Sequence, residues 1–221
     1  MPNQKNQNGA PFRVRDCALV VLATGMKAQN LGELRQGIRS VEAASLYHHF
    51  WGRLLQPRFD EPEYNNDFAS WTYRALGDKT LAERLSVIDP TDYATLEDLR
   101  EELSELVEMR EEEPEAPAFA GAMDQFQFLK SQVVVFDTGK TIEKPDELAH
   151  AIDGFSPGAV YYHFIDARRR TSRKQDDFSV WLSGLGKTYR PLVARLGAVD
   201  PYFSSLSRLR EQLSGLFKEV F

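Results

Sequence analysis

Two stretches of this sequence set histidine, aspartate and aromatic residues at matching intervals. Tyr47-His48-His49-Phe50 precedes Asp67-Phe68-x-x-Trp71, and Tyr161-Tyr162-His163-Phe164 precedes Asp177-Phe178-x-x-Trp181. An imidazole beside a carboxylate can move a proton or, with a further donor, ligate a divalent metal. Tyr47, His48, His49, Asp67 and Trp71, with Tyr161, His163, Asp177 and Trp181, are therefore the candidate ligand-binding residues. Adjacent histidines on a helix diverge by about 100°, unlike the i, i+4 pair that brings two imidazoles to one face. No third protein ligand recurs in both stretches, so the sequence assigns no metal and no cofactor. The favoured reading buries His49 and His163, hydrogen-bonded, in an aromatic cluster with Tyr47, Phe50, Phe68 and Trp71. On that reading the aspartates cap the helix that follows.

The same aromatic residues could wall a pocket, since Tyr and Trp combine a flat apolar surface with one polar handle. Trp51, replaced by Ile165 in the second stretch, reads as an exposed contact. Arg168, Arg169, Arg170, Arg173 and Lys174 form a basic run suited to a phosphate or an acidic protein surface, with the acidic segment 97–115 as a counterpart within the chain. The competing reading is a solvated loop. Cys17 is the single cysteine; next to an apolar run and without a neighbouring histidine in sequence, it reads as an inert core thiol. There is no Gly-rich phosphate loop, Cys-x-x-Cys, His-Glu-x-x-His or Gly-x-Ser-x-Gly, which demotes the enzyme classes that carry those local signatures.

These paired stretches belong to a longer correspondence. Residues 12–50 align without a gap on residues 126–164, with identities at Phe12, Val20, Val21, Thr24, Gly25, Glu33, Leu34, Ile38, Tyr47, His49 and Phe50. The register shifts across a loop that is longer in the first half. It resumes at Asp67 and Asp177, and continues through Asp89-Pro90 with Asp200-Pro201 to the leucine series of the last helix. A period near 110 residues is too long for a solenoid, so the sequence is read as two tandem copies of one unit. The expected domains are a disordered leader over 1–11, copy one over 12–109, an acidic, proline-containing linker over 110–125 and copy two over 126–221.

In each copy a short β-branched run, Leu19–Leu22 or Val133–Phe136, predicts one strand buried on both faces and closed by Thr24-Gly25 or Thr138-Gly139. Leu31, Leu34, Ile38 and Val41, matched by Pro145, Leu148, Ile152 and Phe155, predict a first amphipathic helix. The segment carrying the histidines predicts a second. A third is capped near Asn66 or Asp176, a fourth starts at a Thr80-x-x-Glu83 capping box or at Pro191, and a fifth carries Leu96, Leu99, Leu103 and Leu106 or their counterparts from Leu206. The fold class is mainly α within α+β: two β-α-α-α-α-α copies, each with about five helices and one short strand, related by a pseudo-two-fold axis.

Bulk composition narrows the partners. With 42% apolar residues in 221, the chain can bury a core. A net charge of −6 argues against nucleic acid, which selects basic domains. The longest apolar run, Cys17 to Ala23, is too short to cross a membrane. One cysteine and no secretory leader suggest a cytoplasmic location.

The Tyr-x-His-Phe motif, Asn66-Asp67-Phe68-x-x-Trp71 and Leu81-Ala82-Glu83-Arg84-Leu85 resemble an uncharacterised prokaryotic family of unknown function, here present twice. The resemblance implies no activity. The functional expectation is a non-catalytic binding or regulatory protein that holds a small ligand or a protein partner at the interface of its copies, with a homodimer as a further option. The alternative is a metal-dependent hydrolase or transferase built on His49 with Asp67 and His163 with Asp177.

Overall fold

The structure is a computed structural model that describes residues 9–56, 63–114, 116, 121–171 and 173–221. Residues 1–8 of the expected leader, 57–62 of the longer loop, and 115 and 117–120 of the expected linker lie outside that set.

Two strands, β1 (Phe12–Ala28) and β2 (Phe126–Ile142), pair as a two-stranded antiparallel sheet in an otherwise mostly helical chain. They are far longer than the short runs expected, and those runs are not buried. Val20, Val21 and Leu22 are 41% to 45% exposed, and Val134, Val135 and Phe136 are also exposed. With only two strands in the sheet, packing covers each strand at its ends and leaves its β-branched middle open. Thr24-Gly25 and Thr138-Gly139 do not close the strands either. Gly25 and Gly139 take φ of 85° and 71°, a left-handed step that glycine makes without steric cost, and the strand then resumes. The preceding threonine holds the step: Thr24 Oγ1 donates to the Phe128 carbonyl at 2.7 Å and accepts from the Met26 N–H. Thr138 Oγ1 likewise donates to Val14 and accepts from Lys140.

The chain forms two compact units, Leu19–Gln132 on one hand and Met1–Ala18 with Val133–Phe221 on the other. Each strand is therefore divided between units, and its first residues pack with helices encoded in the other half of the sequence.

The unit of residues 19–132 contains α1 (Leu31–Ser40), α2 (Ala43–Trp51), α3 (Asp67–Arg74), α4 (Lys79–Ser86) and α5 (Leu96–Glu112), with a 3-10 turn over Gly52–Leu55. Leu31, Leu34 and Ile38 of α1 face Leu99, Leu103 and Val107 of α5, all fully buried. Asn30 and Asn66 cap α1 and α3 by accepting from Glu33 and Ala69. The fourth helix is capped by Asp78, which accepts from Leu81, and not by Thr80 as the sequence suggested. Asp78 wins because it also meets Arg110, at 2.8 Å and buried, so one carboxylate both caps α4 and neutralises a core arginine. Arg110 accordingly lies inside α5, and the expected linker cannot begin there.

The unit of residues 1–18 and 133–221 contains α6 (Pro145–Ala151), α7 (Pro157–Val160), α8 (Ala167–Arg170), α9 (Asp177–Leu185), α10 (Arg190–Gly197) and α11 (Leu206–Lys218). Ser156, Asp176 and Ser205 cap α7, α9 and α11. Between α7 and α8 the chain makes a π-helical stretch, Tyr161–Asp166, in place of the ordinary helix expected. Such wide turns are rare and recur at functional positions. Leu209, Leu213 and Phe217 of α11 complete the core. Among the described residues no helix is long and apolar enough to cross a membrane.

Candidate functional site

In the unit of residues 19–132, α2 presents His49 to the incoming end of β2. The Leu129 N–H donates to His49 Nε2 at 3.1 Å. Because a backbone amide can only donate, Nε2 is the acceptor and the ring proton sits on Nδ1, 3.0 Å from Asp67 Oδ2. Arg53 holds the other oxygen of Asp67 at 3.1 Å. The imidazole packs against Phe68 and Phe126, with ring centroids 5.2 and 4.7 Å away, and Trp71 donates its indole N–H to the Asp124 carbonyl at 2.7 Å. Of the expected cluster, Phe68 touches His49, Phe50 packs on Phe68 and Trp71 on Phe126, whereas Tyr47 packs on Trp51; the other rings against His49, Phe126 and Phe128, come from β2.

The other unit contains the same contacts at positions displaced by 114 before the loop shift. The Arg15 N–H donates to His163 Nε2 at 2.9 Å, and His163 Nδ1 lies 2.8 Å from Asp177 Oδ2. Arg170 reaches Asp177 at 3.0 Å, Phe12 packs on His163 and Phe178, and Trp181 donates to the Ala10 carbonyl. In both units the histidine clamps a strand, its two nitrogens fully used by a backbone amide and a carboxylate. Asp67 and Asp177 open α3 and α9, but the caps are the residues before them, Asn66 and Asp176. Burial pushes the carboxyl of Asp176 above its ordinary range.

Beside each clamp lies a pocket. One, of about 430 Å³, is lined by His48, His49, Asp67 and Trp71 together with Arg53 and Arg74. The other, of about 420 Å³, is lined by Tyr162, His163, Asp177 and Trp181 together with Arg13, Arg15 and Arg170. Tyr47 and Tyr161 are buried outside both linings, and Trp51, expected at the surface, is buried near Tyr47.

Among the described residues, a metal could be considered only where His48, His49 and Asp67 bring one donor atom each within 4.8 Å of one another. The donors do not suit it. Both nitrogens of His49 are engaged, Arg53 places a positive charge on Asp67, and His48 Nδ1 is 2.5 Å from the Ser131 hydroxyl. His48 itself is pushed down to about 4, first by burial and then by the nearby His49, against the opposing pull of Asp67.

The basic run stays largely exposed, yet three of its arginines are engaged within the chain. Buried Asp166 takes Arg169 at 2.9 Å and Arg170 at 2.7 Å, and Arg170 also lies over the Tyr162 ring. Arg168 covers Phe164 and donates to the carbonyls of Leu196 and Val199, while Arg173 and Lys174 are exposed. The acidic segment pairs elsewhere, with Glu108 and Glu111 on Arg35 and Glu113 on Arg84. Of the run, Arg170 lines the pocket beside His163. Arg13 and Arg15, which sequence reading passed over, line it too; the alternation of apolar and basic residues over positions 12–15 was the available signal.

The chain is similar to the solved structure of OrfY from Thermoproteus tenax, at 28% identity with a TM-score of 0.81, over 98% of this chain and 98% of that one. Comparison with curated proteins gives no match. The model of a family of unknown function, DUF5752, matches residues 9–218, more than nine-tenths of the sequence, and the chain belongs to that family.

Proposed function

We propose that the protein is a non-catalytic binding protein, built by tandem duplication, in which each compact unit offers one small-ligand pocket. Each pocket is lined by a strand end from one sequence copy and by helices from the other, so both copies contribute to every site. The observation that carries this reading is the occupation of His49 and His163 at both nitrogens. A general base needs a free lone pair within reach of the substrate, and these imidazoles spend theirs on backbone amides. The metal-dependent hydrolase or transferase is the second reading, and it would require those hydrogen bonds to break.

A thermal-shift screen of small metabolites, with each stabilising compound then recovered and analysed by NMR, tests the proposal. A ligand that prefers the folded state raises its apparent stability. The expected result is a stabilising compound recovered unchanged. Its conversion to product, lost in Asp67→Asn or Asp177→Asn, would overturn the reading, as would stoichiometric zinc, manganese or iron lost on His49→Ala.

A further inference from the structure

We infer that the pocket beside His163 binds a small organic phosphate through Arg13 and Arg15, an assignment that rests on the binding function proposed above. Positions 13 and 15 are two apart on β1, between buried Phe12 and Val14, so strand alternation carries both guanidinium groups to one side. The backbone at Arg15 is fixed, since its N–H is the one held by His163. Among the described residues neither guanidinium has an ion-pair partner. The third arginine of the pocket, Arg170, is already committed to Asp166 and Asp177, and Asp177 is thereby neutralised. The unbalanced positive charge of the pocket therefore falls on Arg13 and Arg15.

Two adjacent guanidinium forks match the oxygens of a phosphate, each giving paired, charge-assisted hydrogen bonds. Part of the remaining lining is apolar: Pro11, Phe12 and Trp181, with Val180 on α9 44% exposed. That surface suits a carbon body attached to the anion, and about 420 Å³ is room for both. The π-helical stretch supplies Tyr162 and His163 to the same lining.

The pocket beside His49 is an internal control. At the positions corresponding to Arg13 and Arg15 it has Gln127 and Leu129; its Arg53 pairs with Asp67, and its lining holds two arginines, Arg53 and Arg74, with two aspartates, Asp67 and Asp124. It has a similar volume without the surplus charge, so one phosphate should bind per chain.

Isothermal titration of the full chain at low salt with phenyl phosphate, inorganic phosphate and phenol tests this. Expected are one equivalent of phenyl phosphate bound, weaker binding of inorganic phosphate and no detectable binding of phenol. Arg13→Ala with Arg15→Ala should weaken phenyl phosphate at least about tenfold, the loss expected for two charge-assisted contacts. Both residues are exposed, so the thermal midpoint should hold; should that variant misfold, Arg13→Gln with Arg15→Gln is read in its place. Arg53→Ala should leave the affinity unchanged. Two equivalents bound, undiminished binding in the double variant, inorganic phosphate as tight as the ester, or no binding at millimolar ester would each overturn the assignment. If the ester fails while uncharged compounds stabilise the fold, the phosphate site falls and the binding function stands. If the ester binds and is hydrolysed, the non-catalytic reading falls and the phosphate site stands.

Discussion

His48 makes this protein's stability depend on pH in a calculable way. Its ring is 1% exposed, sits against Gly52 and meets Ser131, and burial lowers it from 6.5 to about 4. The folded state thus resists protonation that the unfolded chain accepts below pH 6.5. Where the unfolded state binds more protons, stability rises with pH. The stabilisation is complete above 6.5, is lost as pH falls through 6.5 toward 4, and levels off below. Between pH 7 and pH 5 this one group should cost about 2 kcal/mol, approaching about 3 kcal/mol at lower pH. His48→Gln keeps a polar side chain for Ser131 and removes the titration. Urea denaturation of both proteins at half-unit steps from pH 7.5 to 4.5 gives the difference in unfolding free energy, with titrations common to both cancelling. That difference should move by about 2 kcal/mol in favour of the variant between pH 7 and 5. A difference that stays flat would refute the buried, proton-resistant imidazole.

Close backbone approach makes a second expectation. A Cβ at Gly158 would stand 2.2 Å from both Asp16 Oδ1 and the Cys17 carbonyl, and one at Gly37 would stand 2.2 Å from the Phe128 ring, whereas Gly154 has open space. Gly158→Ala and Gly37→Ala should each lose about 1–3 kcal/mol while Gly154→Ala stays near wild type, as thermal unfolding would report; equal midpoints for all three would contradict the strand placements. Cys17 is buried, its Sγ 3.3 Å from the Gly158 carbonyl, and its thiol is pushed up to about 12 by burial and by Asp166 and Asp16. Native protein should therefore leave Ellman's reagent unreacted at pH 8 and react with one equivalent in denaturant, with Gly158→Ala accelerating the native reaction; prompt labelling of the wild type would count against that burial.

Local signals and tertiary partners divide cleanly in this chain. The leucine stripes of α1 and α5, the caps Asn66 and Asp176, and Pro145 at the start of α6 are properties of a few consecutive residues, so periodicity and side-chain chemistry suffice to read them. The recurring histidine, aspartate and tryptophan could likewise be picked out as a set. What covers a strand is different information: the same Val-rich run is compatible with a buried central strand or an open ribbon, and here it is exposed because, among the described residues, the sheet has two strands. His163 meets an amide 148 positions away and His49 one 80 positions away, separations at which hydrophobic periodicity carries no pairing signal. Asp78 could be recognised as the cap of α4 only with Arg110 beside it. Arg13 and Arg15 join the pocket for the same reason: the folded chain brings a strand end from one half of the sequence against helices from the other. The sequence by itself determined the apolar stripes of the helices, the caps Asn66 and Asp176 and the recurring side chains. Tertiary packing alone decided which strand each histidine holds and which arginines lack a counter-charge.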